Sequence, residues 1–92
     1  MSTATTPVSV VVDGERVAQT LKVVGERLDS GGEMLLDFFF VQSIGPAALQ
    51  ALEVLAGVAD AKKTKIILRG VNVEVYKVLL LARLEERFVL VN

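Results

Sequence analysis

The chain has 92 residues, 52% of them hydrophobic and 23% charged, with ten Lys plus Arg against eleven Asp plus Glu and a net charge of −1. This is the size of a single small domain spanning residues 1–92, one that buries only about two-thirds of the surface of its unfolded chain. Cysteine and histidine are both absent, which excludes disulfide frameworks, thiol nucleophiles, Cys/His zinc sites and histidine acid/base chemistry together.

The first seven residues are small and polar, expected to be flexible, and carry no basic segment followed by an apolar one, so a cytoplasmic location is expected. Residues 8–12 are almost purely β-branched and apolar and predict a strand, closed by Asp13 and Gly14. Val17, Leu21, Val24 and Leu28 then recur at helical spacing, and Ser30, Gly31 and Gly32 end the helix. Residues 34–41 read MLLDFFFV, the uninterrupted apolar run of a central parallel strand covered on both faces. Pro46 suits the first turn of a second helix, whose apolar face of Leu49, Leu52, Val54, Leu55 and Val58 extends to about Lys62. Lys62, Lys63 and Lys65 read as a solvated helix end.

Residues 65–71 predict a third strand, Asn72 an N-cap, and residues 73–84 a third helix before a last strand at 88–91. The order β-α-β-α-β-α-β argues for an α/β fold with a small, mainly parallel sheet, right-handed crossovers and three helices packed on it. The longest uncharged stretch, residues 38–52, is interrupted by polar residues and is too short to span a membrane. The charges do not collect into blocks, so no nucleic-acid footprint is visible.

Sites for chemistry are missing. The glycines form neither a GxGxxG nor a P-loop pattern, and Asp13, Asp37 and Asp60 are scattered, so no cofactor, metal or catalytic residue is expected and the chain does not read as an enzyme. Asp37, inside an apolar run, is either a buried acid or, the favoured reading, a side chain that meets backbone donors at a sheet end. Gly25 and Gly57 either permit close packing or only weaken their helices.

Residues 36–49, LDFFFVQSIGPAAL, resemble the heart of the STAS domain, the family that includes bacterial anti-sigma factor antagonists. There an LDL-type strand is followed by valine, isoleucine and then Asp-Ser-Ser-Gly-Leu opening a helix. Residues 70–79, GVNVEVYKVL, with Leu84 and Phe88, resemble the family's later stretch, so that the likeness covers most of residues 33–92. The resemblance implies a non-catalytic regulatory module that binds a protein partner, an anti-sigma factor that is also a kinase. It places partner contacts at Ser43, Ile44, Gly45, Pro46, Ala47 and Ala48 and the family's phosphorylated serine at Ala47, which has no hydroxyl to modify. Ser43, the nearest hydroxyl, precedes the helix. The family also usually has two strands before the first helix, where residues 8–12 supply one.

Leu79, Leu80 and Leu81 cannot all face one sheet, because three consecutive helical positions span about 200°. Either two core layers absorb them, as they could the run Phe38 to Phe40, or Leu80 and Leu81 join the start of the second helix in an exposed patch for a protein partner or a second copy of the chain. Two other functions fit the same residues. One is an accessory STAS subunit that binds the ATPase of a bacterial phospholipid-transport ABC complex. The other is a small-ligand or anion binder using free N–H groups at the second helix's N-terminus.

Overall fold

The computed structural model describes residues 8–91; the expected flexibility of residues 1–7 lies outside them. Each apolar run makes a strand and each periodic run a helix, in the order β1 (Val8–Val11), α1 (Val17–Glu26), β2 (Glu33–Asp37), α2 (Pro46–Lys62), β3 (Lys65–Arg69), α3 (Val73–Leu81) and β4 (Val89–Val91). The strands form one sheet in the order β1-β2-β3-β4, with all three pairings parallel. The predicted α/β architecture is present.

The order of the strands decides where the helices lie. Every crossover moves to the same neighbouring side, and parallel crossovers are right-handed in about 98% of cases, so all three helices fall on one face of the sheet. The burial pattern agrees. Met34, Leu36, Ile66 and Leu68 are buried and belong to a single core with Val17, Leu21 and Val24 of α1, Leu52, Leu55 and Ala59 of α2, and Val75 and Leu79 of α3. The alternate positions point the other way: Leu35 and Ile67 are half-buried and Glu33, Lys65 and Arg69 exposed. The expectation of a central strand covered on both faces is therefore corrected. Leu35 and Ile67 are register partners that shield each other laterally, between the Glu33 to Lys65 ion pair (3.8 Å) at one end and the Asp37 and Arg69 positions at the other.

β1, β3 and β4 are each one or two residues shorter than expected, and two element ends differ by three residues or more. The run of residues 34–41 leaves the sheet at Asp37. The Phe38 amide still donates to Arg69 O (2.7 Å), but the Phe39 amide donates to Asp37 Oδ1 (2.9 Å) and the Val41 amide to Phe38 O (2.9 Å), which closes a turn. α3 stops at Leu81 instead of residue 84. Arg83 takes the left-handed conformation (φ 60°), its amide donates to Leu80 O and the Leu84 amide to Leu79 O, so the helix closes in a Schellman motif that seats Leu84 in the core. Lys63 does the same for α2, with φ 54° and the Thr64 amide donating to Ala59 O. The lysines there end a helix as predicted, and Lys62 Nζ also donates to Leu28 O (2.7 Å).

Candidate partner-docking surface

The C-terminal ends of the strands gather three short connections: the β1 to α1 turn, the β2 to α2 segment and the β3 to α3 turn. Their packing is set by backbone contact. A Cβ on Gly14 would stand 2.2 Å from the carbonyl oxygen of Phe40, and one on Gly70 (φ +75°) would stand 3.2 Å from the Phe39 amide nitrogen. Both neighbours are main-chain atoms that cannot rotate away. Asp13 Oδ1 accepts from the Glu15 amide (2.9 Å), and Asp37 Oδ1 from the Phe39 amide, so each of these aspartates folds its own turn. This is the structural role favoured for Asp37 from the sequence.

Asn72 ties the third connection to the second. Its Oδ1 accepts from the Val75 amide (2.8 Å), the predicted N-cap of α3, while its Nδ2 donates to Gln42 O (3.0 Å) and to Val41 O (3.3 Å). The extended segment that leads into α2 is thus held at the head of α3. Gly45 is the N-cap of α2 and Pro46 its first residue, with no side-chain cap.

The predicted site residues divide accordingly. Ser43, Gly45, Pro46 and Ala47 are exposed at the start of α2, whereas Ile44 and Ala48 turn into the core. Leu80 (43% exposed) and Leu81 (86%) are open to solvent while Leu79 is buried, so the leucine run does break across two sides of α3. They do not join the α2 turn. Asn72 marks the end of α3 beside Gln42, and Leu81 lies nine residues further along, about 14 Å at the helical rise of roughly 1.5 Å per residue.

The feature that the sequence did not single out as a site is the tip of the turn after β2. Phe38 is buried, but Phe39 (72% exposed) and Phe40 (61%) occupy the turn's two central positions and meet edge to face with ring centroids 5.3 Å apart. The available signal was Asp37 itself: an acid that captures the amide two residues on ends a strand, and aromatics beyond that point have no sheet to cover them. A depression of about 680 Å³ beside Phe40 is lined by Val11, Asp13, Gly14, Glu15, Gln42 and Ser43. The larger cleft, about 1050 Å³, runs along α1 beside the β1 edge, from Asp13 and Arg16 at this end to Asp29 and Thr64 at the other. Among the described residues, no group of three His, Cys, Asp or Glu side chains is placed to hold a metal ion, and no helix is long and apolar enough to cross a membrane. Among the described residues the strand order has no reversal.

No protein-family model matches the sequence, and no curated protein matches it either. Among solved structures, a Thermotoga maritima protein described as a proposed anti-sigma factor antagonist superposes with a TM-score of 0.71 at 18% identity, over 91% of this chain and 79% of that one. The chain has a STAS-type fold. Phe39 and Phe40 precede, in the same β2 to α2 segment, the Ser43 to Ala48 stretch to which the sequence resemblance assigned partner contacts.

Proposed function

We propose that this protein is a non-catalytic STAS-type interaction module of the anti-sigma factor antagonist kind, which docks to a protein partner through the β2 to α2 segment. The observation that carries this reading is the Phe39 and Phe40 pair: two large apolar side chains held in solvent at the tip of a turn that Gly14, Asp37 and Gly70 fix from three sides. Rigid exposed aromatics are what partner pockets bury most profitably, because little side-chain freedom remains to be lost. Ser43, Gly45, Pro46 and Ala47 extend the surface onto the head of α2. With Ala47 at the position of the family's phosphorylated serine, binding is constitutive and not released by phosphate. Such a module works in the cytoplasm on an anti-sigma factor, and needs no metal, nucleotide or other cofactor.

The test is affinity capture from native lysate of the source organism with the full chain, a Phe39→Ser/Phe40→Ser variant and an Ala47→Glu variant, reading captured proteins and the bait by mass spectrometry. Recovery of an anti-sigma factor kinase by the parent chain, with loss by both variants and no phosphate on the bait, is the expected result. Recovery of an ABC-transporter ATPase would make this a transport accessory subunit. Equal capture by parent and variants would move the interface away from this end of the sheet.

A further inference from the structure

β1 is an edge strand. The Val12 amide donates to Asp37 O (3.0 Å), which turns the backbone groups of Val10 and Val12 toward β2; by alternation along a parallel strand, the N–H and C=O of Ser9 and Val11 point to the open edge. Among the described residues nothing pairs with them. Edge strands are ordinarily guarded by charge, proline or a bulge, yet residues 9–11 read Ser-Val-Val, without any of the three, and Val11 is 57% exposed. Beside this edge runs the cleft of about 1050 Å³ under α1, floored by Val10 and walled by Thr20 and Val23.

We propose that this edge and cleft are occupied by a second copy of the chain, β1 pairing antiparallel with β1 across a two-fold axis at Val10. In that register Ser9 lies opposite the second copy's Val11, and each such pair exchanges both of its outward hydrogen bonds. The two sheets become one, with both copies of α1 on the same face along the seam and each copy's Val10 and Val23 covering those of the other.

The charges select this occupant. The cleft carries Asp13 and Arg16 at the head of α1, and Arg27 and Asp29 at its tail. An antiparallel two-fold lays the head of one copy against the tail of the other, which brings Asp13 to the second copy's Arg27 and Arg16 to its Asp29. Isologous contacts are self-complementary in this way. The seam is formed by β1 and α1 and meets the aromatic end of the sheet at Val11 and Asp13, which also line the depression beside Phe40. It does not use the Phe39 and Phe40 side chains, so either proposal can fail without the other.

Sedimentation equilibrium of the full chain from micromolar to about 1 mM, in about 0.1 M salt, is the test. The expected result is a reversible monomer to dimer equilibrium. Val11→Pro removes an outward N–H without touching the β1 to β2 ladder and should weaken the dimer about tenfold or more, while the circular dichroism spectrum stays folded. Arg16→Glu should also weaken it, and adding Asp29→Arg to the same chain should restore it, which keeps the test informative if Val11→Pro does not fold. A chain that remains monomeric at about 1 mM, or a dimer that tolerates both Val11→Pro and Arg16→Glu, would overturn the proposal.

Discussion

The contact between Gly14 and the Phe40 carbonyl makes a quantitative demand on the chain. A methyl group at residue 14 would sit 2.2 Å from a main-chain oxygen and 3.2 Å from the carbonyl carbon, about 1 Å inside ordinary van der Waals range for the first of these. Neither atom is on a side chain that can swing aside, so Gly14→Ala must move the β1 to α1 turn away from the turn after β2. Forced overpacking of this kind costs about 1–3 kcal/mol, occasionally more. For a domain of this size each kcal/mol lowers Tm by roughly 4–8 °C, so Gly14→Ala should reduce Tm by about 10 °C. Gly57→Ala is the matched control. Residue 57 lies inside α2, is exposed, and a Cβ there meets nothing within 4 Å, so the same substitution should stabilise by about 0.5–1 kcal/mol. Urea unfolding of both variants with far-UV detection measures the two free energies. A Gly14→Ala loss below about 0.5 kcal/mol would refute the packing argument for the aromatic turn.

The other expectations separate stability from binding. Asn72→Ala removes the α3 cap and both donors that hold residues 41 and 42, and should cost about 1–2 kcal/mol in the same urea experiment. Phe39→Ser/Phe40→Ser changes only exposed side chains and should leave unfolding within about 0.5 kcal/mol of the parent while abolishing partner capture. Arg83→Gly relieves a left-handed residue at the end of α3 and should raise stability by about 0.5–1 kcal/mol, read as a higher Tm.

Most elements are legible in the sequence because their boundaries coincide with a change of period or a capping residue: Pro46 opens α2, Asn72 opens α3, and both do so for the reasons their chemistry supplies. The errors fall where periodicity is silent. An apolar run has no mark for the point at which hydrogen bonding stops, so residues 38–41 read as strand although Asp37 has already diverted the Phe39 amide. The end of α3 is obscured similarly, since Arg83 adopts a conformation that sequence statistics assign to glycine, and Leu84 continues the apolar spacing from outside the helix. Strand order leaves no trace in local pattern. The one-sided packing of helices, and with it the open face around Leu35 and Ile67, became visible only in three dimensions. Of the residues named for the candidate surface, Ser43, Gly45, Pro46 and Ala47 are exposed, Ile44 and Ala48 are buried because they follow the inward face of α2 and its lead-in, and Leu80 and Leu81 lie at the far end of α3.

The strand order has a consequence for how the molecule comes apart. Each strand pairs with the strand that follows it in the chain, so every β-α-β unit closes locally, and no long-range strand insertion is needed to complete the sheet. The structure can then fray from either side without losing its middle. At concentrations low enough to keep the chain monomeric, amide hydrogen exchange should show β4, three residues long, and β1 opening at low free energy, while Leu36 and Leu68, at the centre of the sheet, exchange only on global unfolding. A sheet built this way can gain or lose an outer strand and still retain its core.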